Sequence, residues 1–148
     1  MLQARKLQPS DYYLIRSTLQ ALISKAEIRG RKAIHRRLDL ASSLNHLFSI
    51  NTAFIVGDAY LVAYDVGIPW YSTEIIVSEK LVMSLVRNAD FVGVPEFFEQ
   101  VRREAGASWI EVGTALALHD RALASLYEAS GYRVEGLSLT KDYNGISI

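Results

Sequence analysis

No cysteine occurs among the 148 residues. That absence excludes a disulfide framework, thiolate metal centres, iron–sulfur clusters and a cysteine nucleophile. Long apolar runs are missing too. The longest, Ala59 to Tyr64, is far short of the ~20 residues of a membrane span, so no membrane partner is expected. Residues Met1 to Lys6 hold no apolar stretch, so a secretory leader is not expected either. The expected compartment is the cytoplasm, or the interior of a virion. There is no excess of either charge: 16 Lys and Arg balance 16 Asp and Glu. This removes the whole-chain electrostatic argument for nucleic acid, which is not expected as a partner. Prolines number only three, and no repeat, low-complexity tract or long linker interrupts the chain. What remains is half apolar and 22% charged, the balance of a globular domain and not of a disordered one. One domain over residues 1–148 is expected, large enough to bury a core without staples.

The charge is evenly matched but unevenly placed. Lys25, Arg29, Arg31, Lys32, Arg36 and Arg37 crowd one short stretch with His35 among them and only Glu27 opposing. Such a cluster could contact phosphates; the plainer reading is a solvated loop and helix start.

Periodicity orders the elements. A short strand is expected over Gln3 to Leu7. After Pro9 and Ser10, the spacing of Ile15, Leu19, Leu22 and Ile23 predicts a helix. A second helix follows Gly30, with Ile34, Leu38, Ala41, Leu44 and Phe48 on one face. The period then changes to that of strands: Thr52 to Val56 and Tyr60 to Tyr64, joined by a Gly57-Asp58-Ala59 turn. A further strand is expected over Trp70 to Val77, and Lys80 to Val86 fits either a strand end or a helix. Pro95 suits the start of a helix ending at Gly106. Ser108 to Val112 reads as a strand, Asp120 as the cap of a helix through Ser130, and Tyr132 to Thr140 as a final strand. The order β-α-α-β-β-β-α-β-α-β implies an α+β domain, a mixed and mostly antiparallel sheet in three layers.

The segment from Asp120 to Tyr132 resembles the C-terminal signature of the GNAT N-acyltransferase superfamily. There a polar cap opens a helix that carries a tyrosine and ends at Gly-Phe or Gly-Tyr before a strand. Here Asp120, Tyr127 and Gly131-Tyr132 take those places, and the element order matches over nearly the whole chain. The layout from Trp70 to Leu85 and the short third helix also resemble small GNAT-fold proteins of tailed bacteriophages, some carried inside virions. That second resemblance permits the fold without the chemistry.

The resemblance implies acetyl transfer from acetyl-CoA to an amine, on a small molecule or a protein. Tyr127 would be the acid for the departing thiolate; the plainer reading is an aromatic packed under the sheet. Glu74, on the strand flanking the thioester, would help take the amine proton, or is a surface strand residue. His119 could serve as the base because an imidazole titrates near neutrality, though a histidine beside a helix cap is commonly just exposed. Backbone groups of Ile76 and Val77 would hold pantetheine. The pyrophosphate loop of the family, whose glycines bring backbone N–H groups to the anion, is degraded here. The glycine positions fall on Ala89 and Phe91 with Asp90 between them, or Gly93 serves and Pro95 removes a donor. Arg87 and Asn88 are the nearby side chains able to compensate. An interaction protein without catalysis, working through protein partners, is the alternative. No metal site is expected from His35 or His46, and no nucleotide-binding glycine motif occurs.

Overall fold

The computed structural model describes residues 3–143. The elements in chain order are β1 (Ala4–Lys6), α1 (Tyr12–Arg29), α2 (Leu40–Ser49), β2 (Ala53–Val56), β3 (Tyr60–Gly67), β4 (Ile76–Ser84), α3 (Gly93–Ala105), β5 (Trp109–Glu111) and α4 (Asp120–Glu128). Single 3-10 turns at Pro9–Asp11 and Ala33–Arg36 lead into the first two helices. The five strands lie in sequence order, antiparallel from β1 to β4, with β5 added parallel to β4. The expected α+β class with a mixed, mostly antiparallel sheet is what forms.

Alternation along the strands builds two cores, one on each face of the sheet. Ala53, Ile55, Leu61, Ala63 and Leu81 face α1 and α2, where Ile15, Leu19, Leu44 and Leu47 meet them. Val56, Val62, Tyr64 and Val77 face the other way, onto Val94, Phe97, Phe98 and Val101 of α3 and Tyr127 of α4. The period of two in the strands against three or four in the helices produces this three-layer packing. The β2–β3 turn carries positive φ at Gly57 (58°) and Asp58 (54°), as a tight right-twisted hairpin requires. At the end of α3, Gly106 takes φ 68° and its N–H reaches the Arg102 and Arg103 carbonyls, a left-handed stop.

Three expectations are corrected. The fourth strand starts at Ile76, not Trp70: Ser72 N–H bonds the Pro69 carbonyl at 3.1 Å, turning the chain there and leaving Trp70 95% exposed. The ambiguous residues 80–84 continue that strand. The final strand over Tyr132–Thr140 does not form. Its alternation is real, but among the described residues no ladder partner lies beside it, and Leu137 and Leu139 are both 92% exposed. Asp120 is the first residue of α4 and not its cap; that place falls to His119, which makes no side-chain capping bond.

The α1–α2 connection depends on a close approach at Gly30. A Cβ there would lie 2.5 Å from the Ala26 carbonyl oxygen and 2.5 Å from the His35 Cβ. His35 cannot retreat, because it is buried with Nδ1 accepting from Lys32 N–H (3.3 Å) and Nε2 facing the Leu116 carbonyl (3.3 Å). Gly30→Ala should therefore lower stability by roughly 1–3 kcal/mol, the usual cost of overpacking. Urea denaturation followed by far-ultraviolet circular dichroism measures it, and an unchanged midpoint would contradict the close approach.

Candidate functional site

Only three residue pairs join β4 to β5: Ile76↔Trp109, Val77↔Ile110 and Ser78↔Glu111. β5 then ends, while β4 runs on through residues 79–84 along β3. The register against β3 shifts between Ala63 and Tyr64, so Lys80 is the extra residue of a bulge. A bulge bends and twists its strand, and this one lies where β4 leaves β5. Beyond Ser78 and Glu111 the two strands are no longer paired.

Glu79 stands where that pairing ends. It follows the last paired residue of β4 and is half-buried. Burial pushes its carboxyl up to about 7, against a smaller opposing effect from the Gly113 N–H that its oxygen accepts. A carboxyl titrating near neutrality in a strand gap has the pKa of a general base. Sequence reasoning missed it. In the strand pattern Glu79 is one polar residue beside Lys80, and only the register reveals that it marks the departure point.

Tyr127 faces the same region, and its proton affinity is coupled to Glu79. Desolvation raises its phenol far above the ordinary value, with the Glu79 charge adding to the effect. The ring is 2% exposed, and among the described residues its hydroxyl finds no hydrogen-bond partner. Phe91 covers it edge-on at 5.0 Å and Tyr132 lies 5.2 Å away. Burial also pushes the Tyr132 phenol up to about 12.

The other sequence-selected residues fall elsewhere. Glu74 is not on the strand but in an exposed bend two residues before it, where it accepts from Ser108 Oγ at 2.7 Å. That is the zipped end of the β4–β5 pair, away from the gap. Ile76 and Val77 lie inside ladders on both sides, opposite Gly67 and Val66 of β3 and Trp109 and Ile110 of β5. Their backbone is committed, so the strand edge able to receive a ligand lies beyond Ser78. His119 is exposed at the head of α4, eight residues before Tyr127, or ~12 Å along the helix axis. Arg87 and Asn88 are exposed in the turn between β4 and α3, Asn88 with φ 52°.

The start of α3 offers few donors to an anion. Val92 N–H bonds Asp90 Oδ1 at 3.1 Å, Val94 N–H bonds the Phe91 carbonyl at 2.9 Å, and Pro95 has no N–H. The Asp90 carboxylate is exposed beside this turn, and Phe91 is buried at its base. The basic stretch is largely spent internally. Lys32 Nζ bonds the Thr114 carbonyl (2.7 Å) and pairs with Asp120, while Arg36 and Arg37 both pair with Asp142. Among the described residues no cluster of His, Asp or Glu could hold a metal ion, and no helix is long and apolar enough to cross a membrane.

Glu79 makes stability depend on pH in a defined direction. Its folded pKa of about 7 exceeds the ordinary carboxyl value of 4.5, so folding favours the protonated form. The penalty is absent below about pH 4.5, grows through the interval, and is complete above pH 7. At ~1.4 kcal/mol per pKa unit it reaches ~3 kcal/mol. Glu79→Gln should gain stability at pH 8 and little at pH 5; equal gains at both, by urea melts, would refute the raised pKa.

No protein-family model and no curated protein matches the chain by sequence. Solved structures do match. A ribosomal-protein-alanine N-acetyltransferase from Brucella melitensis biovar Abortus 2308 aligns with TM-score 0.67 at 10% identity, over 97% of this chain and 100% of that one. An aminoglycoside acetyltransferase from an uncultured soil metagenomic sample gives TM-score 0.60 at 17% identity, covering 97% and 99%. A predicted acetyltransferase of Clostridium acetobutylicum, crystallised with acetyl-CoA, gives 0.60 at 14% identity, covering 96% of each chain. At these identities the likeness is one of architecture: the chain has the fold of the GNAT acetyltransferases.

Proposed function

We propose that this protein transfers an acetyl group from acetyl-CoA to an amine, with Glu79 as the general base. The observation that carries this reading is a half-buried carboxyl titrating at about 7 where β4 parts from β5. The acetyltransferase folds it matches, one of them crystallised with acetyl-CoA, support the reading. Acetyl-CoA would supply the activated thioester, and the open edge of β4 beyond Ser78 is the backbone available to its pantetheine arm. Glu79, ionised through half of molecules near pH 7, draws the proton from the incoming ammonium directly or through water. The Gly113 N–H holds the carboxylate in place. Tyr127 serves the departing thiolate in this scheme as a hydrogen-bond donor that keeps its own proton, since burial holds its phenol far above the ordinary value, and Phe91 must swing aside for its hydroxyl to meet the gap. Arg87 and Asn88 are the side chains available to the pyrophosphate, with Asp90 opposing them, so affinity for the nucleotide end is weak. Glu74, at the paired end of β4 and β5, and His119, exposed at the head of α4, are not assigned a proton in this scheme.

A second reading rests on the Phe91–Tyr127 contact and the occupied start of α3: a domain that keeps this fold without its reaction and acts through protein contacts, as a virion component would. Calorimetry with acetyl-CoA and CoA separates the two. The transferase reading expects binding in the micromolar to millimolar range. In a survey of amines it expects Glu79→Gln to reduce kcat about 10²–10⁴-fold with CoA affinity unchanged, and Tyr127→Phe to reduce turnover in the same pattern. Absence of any binding heat at millimolar acetyl-CoA, from folded protein, would overturn it in favour of the second.

A further inference from the structure

The sheet face away from Tyr127 carries a half-open pocket of ≈ 240 Å³. Leu22, Ile23 and Leu47 of the first two helices, Leu81 of β4 and Leu116 of the β5–α4 loop make its apolar wall. The wall is preformed. Leu47 and Leu81 belong to the packed core of this face, and the Leu116 carbonyl is fixed by His35 Nε2 at 3.3 Å.

One cation stands in the lining. The bulge turns Lys80 onto this face beside Leu81, opposite to Glu79, and the pocket is lined by both Lys80 and His46. Lys80 Nζ lies 3.2 Å from His46 Nε2 and 3.4 Å from Asp65 Oδ1. An ammonium only donates, so the imidazole nitrogen is the acceptor in this contact. Asp65 is 62% exposed, and an ion pair so open to water is weak. An ammonium has three donors; these two partners use two of them.

We propose that this pocket binds a straight-chain aliphatic monocarboxylate, tail among the leucines and carboxylate on Lys80. A cavity of roughly 150 Å³ takes a benzene-sized molecule, so the larger volume here suits a chain of about six to eight carbons. Each buried methylene contributes ~0.8 kcal/mol, and a carboxylate on an ammonium forms a charge-assisted hydrogen bond. Asp65 sets the headgroup: a dianion such as a phosphate monoester would meet its carboxylate, whereas a single negative charge can share Lys80 with it. An alkylammonium would face Lys80 directly and is rejected. The site does not depend on acetyl transfer, since it lies on the other face of β4 from Glu79.

Titration calorimetry of the full chain with sodium octanoate, octanol and octylamine tests the assignment. One octanoate should bind with sub-millimolar Kd, octanol more weakly and octylamine least. Lys80→Met keeps the aliphatic stem and should weaken octanoate about tenfold while leaving octanol unchanged. Leu116→Trp, in a half-buried loop position, fills the pocket and should abolish binding of both; circular dichroism verifies that each variant is folded. No heat with 10 mM octanoate, octylamine binding tighter than octanoate, equal octanoate affinity in Lys80→Met, or undiminished binding in Leu116→Trp would each overturn the proposal.

Discussion

The departure of β4 from β5 after Ser78 is the constraint on which the rest of this molecule depends. Parallel strands bonded along their full length leave no backbone for anything else. Here the ladder stops after three pairs, and the bulge at Lys80 bends β4 away while keeping it paired to β3. The same bulge decides which way the two residues at the break point. Glu79 is turned toward Tyr127 and the α3–α4 core, and Lys80 toward the α1–α2 core. One inserted residue thus places a titratable carboxyl on one face and a cation on the other.

Around that break the two ends of the gap are built differently. At Glu79 burial lifts a carboxyl to near neutrality, against the opposing effect of the Gly113 N–H. At the start of α3 the donors are already used by Asp90 and by the Phe91 carbonyl. Between them sits a phenol that finds no hydrogen-bond partner among the described residues, under the edge of Phe91. A buried hydroxyl left unbonded costs on the order of 1–3 kcal/mol. Folded proteins keep such groups rarely, and commonly where function uses the strain.

Much of the architecture was legible in the sequence, because hydrophobic period and turn chemistry are local. The spacing of Ile15, Leu19 and Ile23, the Gly57-Asp58 turn and the Phe97-Phe98-Val101 stripe ahead of Gly106 all report their own conformation. What failed was non-local. The alternation of residues 132–140 predicts a strand, but a strand exists only against a partner, and none lies beside it among the described residues. Trp70 and Tyr71 have strand propensity, yet a Pro69 turn places them outside the sheet. The site failed for the same reason. Glu74 and Glu79 are equivalent by pattern, five residues apart in one polar-apolar stretch; only the register against β5 shows that the first precedes the strand and the second marks its exit. The shortage of free N–H donors at the start of α3 was partly readable, since Pro95 has none and Asp90 can take the Val92 N–H.

The wall beside Glu79 is secured from far away in the chain. Lys32 and His35 hold the carbonyls of Thr114 and Leu116, across sequence separations of 82 and 81 residues. Tethers of that span close a large loop and form only once the early helices have docked on the finished sheet. The break beyond Ser78 is therefore a product of global assembly: loosening the far end of α1 would slacken the loop that carries Gly113 even while every strand stays paired.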